Sequence, residues 1–186
     1  MLKDINSDKI SESEVLNNLF LSSSLKDISQ KCKILKGDFH LDSFNYFPIT
    51  ENFETFYSLF KRQDENSIEH FYNEKFYNNF KVKVKNFKIF ENCFVLGSSP
   101  ANNYYANLIN FLPRIFFYNE KKINIIVHRN LSNKFRNLIK LICDMRGISA
   151  TLNYVDDEFY TFKNSLMPQF LTIEKSMSIL NFFIKK

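Results

Sequence analysis

Glycine is scarce in this sequence: the 186 residues include only three, at positions 37, 97 and 147. Dinucleotide-binding fingerprints and phosphate-binding P-loops need several glycines close together, because their backbone approaches the phosphates closely. Glycines this widely separated exclude both kinds of loop. If the chain handles a nucleotide, it uses neither of them.

Cysteine and long apolar runs are also lacking. The three cysteines, at 32, 93 and 143, are odd in number and scattered. They argue against a disulfide framework or a zinc site and for a reducing compartment. No apolar run approaches the roughly 18 residues that cross a bilayer, and the first four residues lack the layout of a signal peptide. We therefore expect a cytoplasmic protein with no transmembrane segment, no metal and no cofactor.

Aromatic residues and positive charge are present in quantity. Aromatic residues reach 17%, which is too many for a disordered chain, and the length suits one ordinary domain. The net charge of +5 leaves two interpretations open: a surface for nucleic acid, acidic lipid or phosphorylated ligands, or a solvated lysine-rich surface. Arginine is scarce and no nucleic-acid-binding signature occurs, so we predict no nucleic-acid partner.

Residues 1–79 predict a helical and irregular N-terminal segment. Ser11 and Glu14 have the spacing of a capping box, which indicates a helix start before Val15. The other predicted elements of this segment are a short strand at 32–35, a turn at Gly37 and helices at 51–60 and 66–76.

A β-hairpin is predicted next, from residue 80 to residue 96. Val82 and Val84 alternate with lysines, which is the period-two pattern of a half-exposed strand. A second strand is expected at 93–96, with Glu91 and Asn92 at the turn.

From residue 103 the pattern alternates between helix and strand, as in parallel α/β folds. The predicted elements are helices at 103–118 and 131–146, strands at 123–128 and 149–155, short strands at 159–162 and 165–167, and a last helix from Thr172. Residues 156–158 predict a turn, because acidic turns are common and the spacing does not match an Asp-x-Asp metal motif. Residues 80–186 are therefore expected to form one α/β domain.

The helix at 103–118 carries a line of polar side chains. Asn103, Asn107, Asn110 and Arg114 are spaced by four, three and four residues, which places them along one face. Pro113 cannot donate a hydrogen bond to the carbonyl of Ile109 and should kink the helix. The line either faces an open groove and binds a polyhydroxylated or phosphorylated ligand, or is an ordinary solvent-facing stripe.

The same run, Asn103 to Arg114, reads NYYANLINFLPR. It resembles the signature of glycosyltransferase family 61, roughly Asn-Tyr-Tyr-His-Trp-Leu-x-Asp-x-Leu-Pro-Arg, which includes capsular polysaccharide biosynthesis proteins. The resemblance implies that residues 80–186 form the Rossmann-like N-terminal half of a GT-B-type fold, preceded by an irregular helical segment and a β-hairpin. It also implies that the chain ends where the glycine-bearing, nucleotide-sugar-binding half should begin.

The resemblance implies roles for individual residues. Asn103, Tyr104, Asn107 and Arg114 would bind substrate. Asn110 aligns with the family's Asp and is the implied catalytic position, while the family's His aligns with Ala106. An amide is a very poor base and alanine is none, so the acid-base groups are lost at these two positions. His128, at a strand end, is a further candidate catalytic residue from position alone, with an ordinary loop histidine as the alternative.

The expected function is that of a glycosyltransferase-like protein, truncated or split and inactive alone. It would be related to sugar transfer from a nucleotide-sugar to a glycan acceptor in capsular or surface polysaccharide biosynthesis. A partner chain would supply the second Rossmann-like half. The alternative is a non-catalytic module, derived from that fold, that binds a glycan or a protein.

Overall fold

The structure is a computed structural model that describes residues 10–14, 31–43, 46–50, 74–99 and 102–184. The strands are β1 (Ile10–Glu14), β2 (Lys31–Asp42), β3 (Phe47–Thr50), β4 (Lys88–Glu91), β5 (Cys93–Val95), β6 (Lys122–His128), β7 (Ser149–Val155) and β8 (Phe159–Pro168). The helices are α1 (Glu74–Lys83), followed by a 3-10 turn at Val84–Asn86, then α2 (Tyr104–Ala106, Asn107–Phe111 and Leu112–Phe117), α3 (Asn133–Met145) and α4 (Ile173–Ile184).

The described strands form one mixed sheet in the order β1-β2-β8-β5-β6-β7, with β3 also on β2 and β4 also on β8. Strand β5 is parallel to both β6 and β8, and β6 is parallel to β7. Strand β2 is antiparallel to β8, β1 and β3. The predicted α/β class with a mostly parallel sheet is therefore confirmed.

The strand–helix–strand pattern predicted between residues 123 and 155 is also confirmed. Helix α3 starts where the Ser132 side chain accepts a hydrogen bond from the Phe135 N–H, as serine does at helix N-termini. Its stripe of Phe135, Ile139 and Ile142 is buried against the sheet. Strand β7 has the predicted bounds, and the two short strands predicted at 159–162 and 165–167 are one strand, β8.

The helix predicted near the N-terminus is wrong for residues 10–14, which form a strand, whereas the short strand predicted at 32–35 lies within the longer strand β2. Ser11 and Glu14 lie in β1 and pair with β2, so their capping-box spacing does not start a helix. Gly37 lies inside the long strand β2. These strands form because β2 buries Ile34 and Leu35 on opposite faces and so completes the sheet beside β8. The helix predicted at 51–60 lies outside the described residues, as does 66–76 up to residue 73.

The predicted hairpin is also wrong. Val82 ends up in α1 and Val84 in the 3-10 turn, where Phe80 is buried and the residues from 81 to 83 are exposed. The alternation of valine and lysine therefore does not mark a sheet face. Strands β4 and β5 run in the same direction along β8, with Lys88 opposite Tyr160 and Phe94 opposite Leu166.

Three residues with a positive φ lie side by side, two of them in the strands β2 and β8 and one in the link between two further strands. These are Gly37 in β2, Asn92 between β4 and β5, and Asn164 in β8, with φ of 105°, 52° and 44°. The Asn164 amide donates to Asn92 Oδ1 at 2.6 Å, and the register between β2 and β8 shifts at this level. We call this line of residues the crease, because bulges of this kind bend a sheet.

The sheet has a core on each side of it. Helices α2, α3 and α4 cover one face, and the second core is formed by residues such as Phe39, Phe47 and Tyr160 of β2, β3 and β8, with Phe80 of α1. Helix α1 packs on β2 through Phe80, whose ring contacts that of His40.

Candidate functional site

The helix that carries the polar line is irregular where Pro113 was predicted to disturb it. Residues 104–106 are α-helical, Asn107–Phe111 form a π-helical segment and Leu112–Phe117 a 3-10 segment. The Leu112 N–H donates to the Asn107 carbonyl, five residues back. Because proline has no N–H, the regular ladder cannot continue through residue 113, and the predicted interruption of the helix is confirmed.

Arg114 is completely buried, and this overturns the expectation that the polar line faces an open groove. Its guanidinium donates to the Leu96 carbonyl at 2.7 Å and to the Pro168 carbonyl. It lies 4.6 Å from the centroid of the Phe170 ring. Burial lowers the pKa of Arg114 to about 9, so the group remains a cation at neutral pH. The side chain joins the ends of β5 and β8 from inside the core.

The asparagines of the line differ in exposure. Asn107 is buried, and its Oδ1 accepts a hydrogen bond from the Ser99 N–H at 2.7 Å. Asn103 is exposed and caps α2, since its side chain accepts from the Ala106 N–H at 3.1 Å. Asn110 is half-buried in the π-helical segment. Asn107 and Arg114 therefore fix the helix on the sheet, and Asn103 is the member of the line at the surface.

His128 lies at the end of β6, as predicted, and both of its ring nitrogens have hydrogen-bond partners. Its Nε2 is 2.9 Å from Asp157 Oδ1, and its Nδ1 accepts from the Asn130 N–H at 3.1 Å. Because Nδ1 is an acceptor, the neutral ring carries its proton on Nε2 and donates it to the carboxylate. The ring is 2% exposed. Both nitrogens are engaged, so His128 cannot take a substrate proton without first breaking one of these bonds.

Sequence reasoning missed the residues that surround His128. Ser98 Oγ accepts from the His128 N–H at 2.8 Å, and Asp157 was assigned only to a turn. Ser43 Oγ donates to the Glu158 carbonyl at 2.6 Å, which holds the link between β7 and β8 over the same edge. Ser98 and Asp157 each follow a parallel strand, and the carboxyl ends of such strands meet at one edge. Their positions after predicted strands would have been enough to place Ser98 and Asp157 near His128.

A groove opens between the first turn of α2 and helix α3. Its volume is about 460 Å³, and its lining residues are Tyr104, Lys134, Phe135, Asn137, Leu138 and Leu141. Tyr104 is 62% exposed, and its ring centroid lies 5.3 Å from that of Phe135. Helix α2 follows β5 in the element order and α3 follows β6, so the groove lies near the carboxyl edge of the sheet. Tyr104 is thus the predicted substrate-binding residue that lines an accessible cavity.

Among the residues that the structure describes, no three His, Cys, Asp or Glu side chains lie where they would hold a metal ion. Over the same ranges, no helix combines the length and apolar character needed to cross a membrane. No protein-family model, curated protein or solved structure matches the chain.

Proposed function

We propose that this chain is a glycosyltransferase-like module that binds a glycan acceptor in the groove between α2 and α3 and does not catalyse transfer by itself. The observation that carries the proposal is Tyr104, which belongs to the run resembling family 61 and presents an exposed ring in the groove. An aromatic ring offers its face to the apolar side of a sugar, and Asn137 and Lys134 supply hydrogen-bond donors beside it.

The chemistry around the groove supports a binding role rather than a catalytic one. Transfer to a hydroxyl needs a base within hydrogen-bond reach. Ala106 and Asn110 occupy the positions where the family has His and Asp, and His128 has both ring nitrogens engaged. In an active assembly, a partner chain with the second Rossmann-like half would hold the nucleotide-sugar. We therefore expect this chain alone to bind glycan but no nucleotide-sugar.

Two adjacent tyrosines provide a matched test of glycan binding. Tyr104 and Tyr105 are 62% and 59% exposed, but the groove is lined by Tyr104 and not by Tyr105. A panel of neutral and acidic oligosaccharides is titrated in turn against the wild type, Tyr104→Ala and Tyr105→Ala by calorimetry. We expect Tyr104→Ala to weaken binding by about tenfold, or about 1.4 kcal/mol, and Tyr105→Ala to have no effect. Equal effects of both substitutions, or no binding to any glycan, would contradict the proposal.

A second experiment tests whether the chain is a decayed enzyme. The double variant Ala106→His with Asn110→Asp restores the two residue types of the family signature. Transfer is measured with a nucleotide-sugar and an acceptor in the presence of a partner chain that carries the second half. Activity gained only by the double variant supports descent from an active transferase. Activity of the unmodified chain would refute the non-catalytic assignment.

A protein ligand is the second candidate for the groove. Leu138 and Leu141 are two of its lining residues, and Leu141 is 52% exposed. Exposed apolar side chains rimmed by polar ones mark protein contacts as well as ligand sites. Leu141→Ser separates the two: it should abolish a protein complex, whereas sugar stacked on Tyr104 should be little affected.

A further inference from the structure

A second surface is formed by α1, the 3-10 turn that follows it and β4. We call Lys81, Val82, Lys83, Lys85, Lys88 and Ile89 the lysine ridge. All six side chains are exposed. Between residues 81 and 91 the sequence has four lysines and one acid, Glu91. The ridge is therefore a local concentration of positive charge.

The ridge also exposes two aliphatic side chains. Phe80 is 3% exposed and anchors α1 to the sheet. Val82 is two positions further along, which turns it to nearly the opposite side of the helix, and it is 76% exposed. Ile89 is 57% exposed and alternates in β4 with Phe90, which stacks on Phe162. Val82 thus projects away from the core with a lysine on either side.

We propose that the lysine ridge docks the protein on an anionic membrane surface, with Val82 and Ile89 entering the headgroup region. Each lysine next to a negatively charged bilayer raises the binding constant of the protein for that bilayer several-fold. Apolar side chains among basic ones add burial at the interface. Both features occur together in the ridge.

The same observations favour lipid over nucleic acid. The ridge contains no arginine, the residue that contacts phosphates through a bidentate fork. Its neighbouring aromatic rings are turned inward, because Phe87 stacks on Phe159 and Phe90 on Phe162. No ring of the ridge is therefore presented for base stacking, on which single-strand binding relies. Exposed valine and isoleucine have no role on a phosphate backbone.

The test measures sedimentation of the full chain with phosphatidylcholine vesicles, with and without phosphatidylserine. We expect binding only to the anionic vesicles, weakened by salt. Lys83→Gln with Lys85→Gln should lower the partition coefficient about 30-fold. The matched control is Lys36→Gln with Lys140→Gln, which removes the same charge. Lys36 and Lys140 are exposed, and they lie in β2 and α3, outside the ridge.

Val82→Ser separates apolar insertion from charge attraction. It should weaken vesicle binding about fivefold while the salt dependence stays the same. The proposal is overturned if the control pair reduces binding as much as the ridge pair, or if the wild type ignores anionic vesicles. Salt-dependent binding to a DNA oligonucleotide that the ridge pair abolishes, without vesicle binding, would assign the surface to nucleic acid instead. Circular dichroism checks that each variant is folded.

Discussion

Replacing Arg114 by methionine tests whether a buried guanidinium holds two strand ends together. Methionine keeps much of the apolar stem but removes both donors to the Leu96 and Pro168 carbonyls. Hydrogen bonds from a charged group contribute roughly 1.5–3 kcal/mol each. Relief from burying a cation offsets part of this loss. We therefore expect Arg114→Met to lower the free energy of unfolding by about 3 kcal/mol.

Arg146 provides the comparison, because it makes the same kind of contacts nearer the surface. Its guanidinium donates to the Ile115 and Tyr118 carbonyls, both at 2.7 Å, but the residue is only partly buried. Water can replace its donors, so Arg146→Met should lower stability by only about 1 kcal/mol.

Urea unfolding followed by far-ultraviolet circular dichroism measures both variants, since the chain has no tryptophan. Equal losses for Arg114→Met and Arg146→Met would refute the argument from burial. An unchanged stability of Arg114→Met combined with lost glycan binding would show that Arg114 binds ligand after all. Arg114→Lys should retain part of the stability, because an ammonium keeps the charge but lacks the fork that spans two carbonyls.

Three further predictions follow from single features. Gly97 has a φ of +79°, and a Cβ there would lie 2.8 Å from Phe111 Cδ1. Gly97→Ala should therefore lose about 1–3 kcal/mol more in urea unfolding than Gly147→Ala, where nothing lies within 4 Å. Burial raises the pKa of the Cys93 and Cys143 thiols from 9.0 to about 11. The unfolded chain then loses these protons first, so each thiol should contribute a fall in stability of about 1.4 kcal/mol per pH unit between pH 9 and 11, measured as the difference between the wild type and its serine variant. A serine variant of either cysteine that leaves this slope unchanged would contradict the assignment. Nitrogen NMR shifts should show the neutral His128 ring protonated on Nε2, and an Nδ1–H tautomer would exclude the hydrogen bond from Asn130.

The sequence predicts the elements between residues 122 and 155 well, because their signals are local. The signals for α3 all lie in one short stretch of sequence. Ser132 caps the start of the helix, and the apolar residues from Phe135 onward recur with the helical period and are buried. The N-terminal strands have no such local signal. The spacing of Ser11 and Glu14 favours a helix, but these residues form a strand because they pair with β2.

The candidate site is predictable only in part, for a related reason. Spacing correctly indicates that Pro113 interrupts the helix, but it cannot show which face of the helix is covered. The acceptors of Arg114 lie 18 and 54 residues away in the chain. The partner of His128 is 29 residues away. The sequence therefore does not distinguish a buried arginine of this kind from a surface arginine. Only the assembled strands show which carbonyls accept its hydrogen bonds.

The crease has a consequence for where a ligand can enter. Flat parallel strands need a connection of a dozen or more residues, yet only residues 156–158 separate β7 from β8. We attribute this short path to the bend in β8. It returns the chain across the carboxyl ends of the strands, where Ser43 fastens it. The carboxyl edge, where open α/β sheets bind ligands, is thus covered by the protein's own backbone, and the groove between α2 and α3 is the cavity that remains open beside it.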